Sequence, residues 1–319
     1  MKPFKTIINI LFVIGILNAQ NPEVSSEDFS TRQVHLDFHT SEHLENIGKQ
    51  FDKASWQKTL KDAHVNSINI FAKGHHGYSY YPTKVGTQHP NLDFDLLKAQ
   101  IDASHEIGIK TPLYFAIGWS VLDAVTNPEW IIKNKNGKSK KGDMIRSLKD
   151  EDSYPNFTWE LLMPEGNYLE MILKQTEELC QNYDIDGFWY DIIPNNAVNY
   201  NTYSREGFKE AGVDVNNDLE VEKHHVEKIK LFMASCNNII KKYHPDASIF
   251  YNWSTHMNNS NTFKYKLYEY NTSYDLEDLP TTWEGYNEFP LRAKYFSNMG
   301  KPVTGMSGKF HTAWGEFGG

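Results

Sequence analysis

Cysteine is nearly missing: 319 residues carry only Cys180 and Cys236, too few for a disulfide scaffold. Each falls on the apolar side of a predicted helix, beside Leu173 and Leu179 in one case and Phe232 and Ile240 in the other, which predicts two buried thiols rather than a bridge. Basic excess is also missing. With 41 acidic against 32 basic residues, the chain lacks the positive field that a nucleic acid or an anionic membrane requires. After residue 20 there is no apolar run of the roughly 20 residues needed to cross a bilayer. A glycine-rich phosphate loop, a GxSxG nucleophile elbow and an HExxH helix are all absent, which removes the nucleotide, serine-hydrolase and zincin classes.

What is present starts with MKPFKTIINILFVIGILNAQ. Two lysines precede a short apolar core and a small residue at Ala19, the pattern of a secretory signal peptide over 1–20. A polar linker follows at 21–32, and 33–319 forms the rest. The expected location is secreted or periplasmic, with no membrane span once the signal is removed.

From residue 33 onward, short strand-like runs alternate with helical periodicities, as in a parallel sheet wrapped by helices. The predicted strands are 33–39, 67–73, 111–118, 186–193, 248–253, 264–270 and 302–308. Between them lie apolar stripes such as Leu96, Leu97, Ile101 and Val226, Ile229, Met233, Ile240. Two polar interruptions, 120–167 and 195–222, follow strands and so belong on the rim where substrate loops grow. The pattern predicts a (β/α)8-type barrel.

Ligands in such folds bind at the carboxyl ends of strands. The first predicted strand ends in His35, Asp37 and His39, and the second in His75 and His76. The third ends in Trp119, the fourth in Asp191 behind Trp189 and Tyr190, and the fifth in Asn252 and Trp253. Trp283 follows the sixth, and Lys309, His311 and Trp314 follow the seventh. A ring of buried polar groups costs free energy unless a wet, ligand-accepting pocket lies there. Asp186, at the start of its strand, belongs to the opposite end as a structural residue.

An ionised carboxylate among aromatic walls suits attack on, or stabilisation of, an oxocarbenium-like centre, with a second carboxyl protonating the leaving oxygen. Asp191 is the candidate for the first. Glu277, Glu269, Glu284 and Glu316 are candidates for the second, Glu277 being preferred for its place after the sixth strand. The substrate expected is a glycoside or oligosaccharide, with no cofactor. Two alternatives stay open: a carbohydrate-binding barrel without catalysis, and a metal-dependent hydrolase using the HxDxH spacing of His35, Asp37 and His39.

The segment AKGHHGYSYYPT, with WYD at 189–191, resembles the alpha-L-fucosidases of glycoside hydrolase family 29. That resemblance implies a retaining mechanism with Asp191 as nucleophile, and His75 and His76 as ligands of sugar hydroxyls. Where the family pattern reads HHDGF this chain reads HHGYS, so contacts around Gly77 and Tyr78 differ. Segments LEDLPTTWEGYNEFPLRAKYF and PVTGMSGKFHTAWGEFGG are similar to the bacterial group named hypothetical glycosyl hydrolase 6. Those relatives continue through an eighth strand and helix and then β-rich domains. The expectation is therefore a barrel lacking its eighth strand and helix, encoded by a truncated or split gene.

Overall fold

A computed structural model describes residues 32–139, 160–195, 198–257, 260–279 and 287–307. The predicted signal peptide lies outside these residues, as do Trp283, Glu284, Lys309, His311, Trp314 and Glu316.

Five parallel strands form one curled sheet in sequence order: β1 (Gln33–His35), β2 (Ser67–Lys73), β3 (Pro112–Ala116), β4 (Gly187–Asp191) and β5 (Ser248–Tyr251). A second parallel pair, β6 (Tyr274–Asp278) and β7 (Val303–Ser307), continues the curve. Helices α1 (Lys53–Asp62), α2 (Leu96–His105), α4 (Gly166–Asn182) and α6 (Asp218–Tyr243) fill the crossovers. The starts of α1, α2 and α6 follow from side chains: Asp52, Asp95 and Asn217 each accept a backbone N–H of the first turn, satisfying groups the helix leaves open. Gly108 and Gly300 sit at positive φ after α2 and α8 (Glu288–Ser297).

Strand alternation sorts the core into two faces. Outward residues Ile68, Ile70, Leu113, Phe115, Phe188, Tyr190, Ile249 and Tyr251 pack under the helices together with both buried, unbridged cysteines. Inward, β2 to β5 contribute one ring each: Phe71, Tyr114, Trp189 and Phe250. Phe71 stacks on Tyr114 at 4.0 Å, and Tyr114 on Trp189 at 5.3 Å. This aromatic layer is the floor on which the rim residues stand. Tyr190 faces the helices, so only Trp189 of the two rings before Asp191 lines the interior.

The sixth strand differs from expectation. Residues 264–270 hold the end of a short helix, α7 (Ser260–Lys264), and a 3-10 turn at Leu267–Tyr270, and the strand comes later. Instead of a full ladder to β5, Asn271 and Thr272 offer side-chain oxygens to the N–H groups of Tyr251 and Ile249. Both predicted rim interruptions also hold helices: α3 (Val121–Thr126) in the first, α5 (Thr202–Ala211) and the start of α6 in the second.

Candidate active site

Asp191 ends β4 on the inner face, and it is 6% exposed. Each of its oxygens is engaged. Oδ2 accepts the Tyr114 hydroxyl at 2.5 Å and lies 3.5 Å from His75 Nε2. Oδ1 accepts Asn252 Nδ2 and the backbone N–H of Ile192, both at 2.8 Å. Burial pushes this carboxyl above its ordinary range, while the donors from Tyr114, Asn252 and Ile192 pull it back toward the charged form.

The chain turns sharply behind this residue. Ile192, a β-branched residue, has φ 59°, a conformation costing of order 1–3 kcal/mol. Gly118 permits the accompanying close approach, since a Cβ there would lie 2.0 Å from the Ile192 carbonyl. The same device recurs one strand over: Trp253 has φ 72°, and its N–H donates to Asn252 Oδ1 at 2.9 Å. That bond fixes which way the Asn252 amide points. Its nitrogen must face inward, where it donates to Asp191 and also, at 2.5 Å, to Glu277 Oε2.

One amide nitrogen therefore holds two carboxylates. These two oxygens can be no more than about 5 Å apart. Glu277 is half-buried on β6, with its carbonyl accepting from Arg292. Glu269, the other predicted candidate within the described residues, lies elsewhere: it is on the 3-10 turn, 58% exposed at its side chain and paired with Lys266.

The two adjacent histidines divide. His75 reaches Tyr114 and Asp191, and its ring stacks on that of His39 at 3.9 Å. Burial, reinforced by the neighbouring His39, holds it well below the ordinary imidazole range, so it is neutral. His76 is pushed down to about 3 by burial and by His39, His89 and His43, which surround it in place of Asp191. The backbone carbonyls of both receive the first N–H groups of α3, from Val121 and Leu122. Tyr80 and Tyr81 pack beneath this loop, the former bridging Thr40 and the Phe38 carbonyl.

His35, Asp37 and His39 converge, although β1 ends at His35. Asp37 lies 3.4 Å from His35 Nε2 and 3.6 Å from His39 Nε2. Burial opposes its charge, yet the two imidazoles more than offset that and hold it well below the usual carboxylate range. Burial likewise opposes charge on His35, and the Asp37 hydrogen bond together with the charges of Asp37, Asp275 and Glu277 overcomes it, leaving this imidazole raised. His39 Nδ1 accepts the His75 N–H at 3.1 Å. Among the described residues no three His, Cys, Asp or Glu side chains are arranged to hold a metal ion.

Two functional neighbours escaped the sequence reading. Tyr114 was legible only as a strand residue, although strict alternation from Ala116 would have turned it inward. Asp275, one pleat below Glu277, accepts from Gln33, Trp189 and Thr304, and burial raises its carboxyl. The strand set at 264–270 concealed it. Asp186 is structural as expected, bonded to His105 and Thr111.

Residues 52–192 match the family model described as hypothetical glycosyl hydrolase 6. Among solved structures, alpha-L-fucosidase isoenzyme 2 from Paenibacillus thiaminolyticus superposes with a TM-score of 0.80 at 35% identity, covering 90% of this chain. The chain spans 42% of the length of that enzyme. An alpha-L-fucosidase of family GH29 from Bacteroides thetaiotaomicron matches 63% of this chain and 34% of its own at 20% identity, with a TM-score of 0.37. No curated protein matches. The chain thus carries a hypothetical glycosyl hydrolase 6 domain, and its parallel half-barrel resembles that of the alpha-L-fucosidases.

Proposed function

We propose that this chain is a retaining glycoside hydrolase acting on alpha-L-fucosides, with Asp191 as nucleophile and Glu277 as acid/base. The observation that carries the reading is the single Asn252 amide donating to both carboxylates. It sets them at the spacing at which one can reach the anomeric carbon while the other reaches the glycosidic oxygen.

In the first step an Asp191 oxygen bonds to the anomeric carbon, the glycosidic C–O bond breaks, and Glu277 passes its proton to the departing oxygen. In the second, Glu277 takes a proton from water, whose oxygen displaces Asp191 and restores the carboxylate. Three hydrogen bonds to Asp191 counter the effect of burial and favour its charged form, the state attack requires. Neutral His75 can donate to or accept from a sugar hydroxyl. The name of the Paenibacillus enzyme suggests the sugar, and the first twenty residues suggest action outside the cytoplasm.

Asp191→Asn keeps the shape and removes the nucleophilic charge. Hydrolysis of p-nitrophenyl alpha-L-fucoside should fall by three orders of magnitude or more, of the order ~10³, with the melting temperature retained. Azide added to Asp191→Gly should restore turnover and yield a fucosyl azide of inverted configuration. Residual activity within about tenfold of the unsubstituted protein removes Asp191 from this role.

A further inference from the structure

Trp119 and Trp253 follow the ends of β3 and β5, so they stand on either side of Asp191 at the end of β4. Their indoles meet edge to face, 5.9 Å between centroids and 86° between planes. Trp119 also sets its ring against His75 at 5.1 Å. Both indoles are half-buried: one side of each packs on the core, and each keeps exposed surface at the rim. Together they make a right-angled aromatic corner beside the carboxylate pair.

The backbone of Trp253 is held where an aromatic residue resists going. Its φ of 72° lies in the left-handed region, which glycine adopts without strain. Two side chains enforce it: Asn252 Oδ1 takes its N–H, and Asn195 Nδ2 donates to its carbonyl at 2.9 Å. An indole serving only to fill the core needs no such arrangement. A strained residue over-determined on both sides, next to a bridging site residue, marks a side chain whose placement matters.

We infer that this corner receives the leaving group, and that the leaving group is a pyranose sugar. A pyranose presents a flat C–H face that stacks on one indole while the second walls its edge, and its hydroxyls stay toward water. The inference rests on the glycosidase reading and specifies the substrate as a fucosylated oligosaccharide rather than a fucoside of a small or non-sugar alcohol. Binding energy gathered at the corner, away from the reacting bond, raises the rate for substrates that carry the second sugar.

The test uses the whole chain with Trp253→Gly and Trp253→Phe on two substrates. Fucosyl-lactose fills the corner, whereas alpha-L-fucosyl fluoride has no ring to place there. Glycine keeps the N–H that orients Asn252 and relieves the left-handed strain, so the fold should survive. The expected result is a loss of kcat/KM on fucosyl-lactose at least about tenfold larger than on the fluoride, with phenylalanine recovering part of it. Equal losses on both, or none on either, overturn the inference. If the unsubstituted protein hydrolyses neither substrate, the glycosidase reading falls by itself, and calorimetric titration with fucosyl-lactose then decides the corner. Weaker binding by Trp253→Gly supports it, and equal binding refutes it.

Discussion

Tyr114 and Asn252 approach Asp191 from opposite sides and donate to different oxygens, so together with the Ile192 N–H they offset part of the desolvation that raises this carboxyl. Removing one donor isolates that contribution. A hydrogen bond to a charged group is worth about 1.5–3 kcal/mol, which corresponds to roughly one to two pH units. Tyr114→Phe keeps the ring stacked between Phe71 and Trp189 and deletes only the hydroxyl. The charged form of Asp191 loses support, its pKa rises further, and the acidic limb of the pH profile of kcat/KM should move to higher pH by about that amount. An acidic limb that stays in place would show that the hydroxyl does not hold the charge. Tyr114 also marks where a sequence falls short at this scale. Asp191 could be read from its position at a strand end, but a partner on the adjacent strand, two residues before Ala116, is set by the pairing of Ala116 with Asp191, which no local pattern reveals.

Between β2 and α3 a buried ion pair fixes the loop that carries the histidines. The β2–β3 register shifts between Phe71 and Lys73, which turns Lys73 to the outer face beside Phe115 and Tyr168. There its Nζ meets Asp123 Oδ2 at 2.7 Å, an oxygen that also accepts from Ser120 at 2.6 Å. Since α3 begins on the carbonyls of His75 and His76, the pair ties both ends of that loop. Taking away one member strands a buried charge, at a cost of about 3–5 kcal/mol. Lys73→Met should lose roughly that much in urea unfolding, and Lys73→Met with Asp123→Leu should recover most of it; a double variant as unstable as the single one would contradict the account. Neither the bulge nor the pair was visible beforehand, because SINIFAK reads as an unbroken strand and the alternation places Lys73 inward. The sixth strand failed for a related reason. Tyr265 and Leu267 alternate with lysines in KYKLYEY as in a strand, whereas YDLED places two acids on the inner face, a pattern that composition disfavours and the interior of the barrel requires.

Across the whole molecule the parallel wrapping was legible, since apolar strands and amphipathic helices alternate with capping residues at their junctions. The interior of the half-barrel was not, because its polarity answers to packing between distant strands. That polarity has a consequence for stability. His76 and His256 are pushed down to about 3 by burial and His225 to about 4, against an ordinary value of about 6.5 in the unfolded chain. Below pH ~6.5 the unfolded chain binds protons that the folded chain refuses, so stability falls as pH drops toward ~4, by up to about 1.4 kcal/mol per pH unit for each group. The raised His35 and His105 act on the other side: their stabilisation is complete below pH ~6.5 and is lost as pH rises through their folded values. Asp191 and Asp275, raised by burial, bind protons more readily when folded and so partly oppose the acid loss. His225 is the member to test. On α6, its Nε2 faces the Pro194 carbonyl at 2.9 Å, with His224 and Glu222 as its titratable neighbours. His225→Gln keeps a donor for that carbonyl and removes the titration. Urea unfolding at pH 7 and pH 5 should show a smaller drop for the variant than for the unsubstituted protein, by about 1–2 kcal/mol; equal drops would mean that His225 charges in place and that the acid sensitivity resides elsewhere.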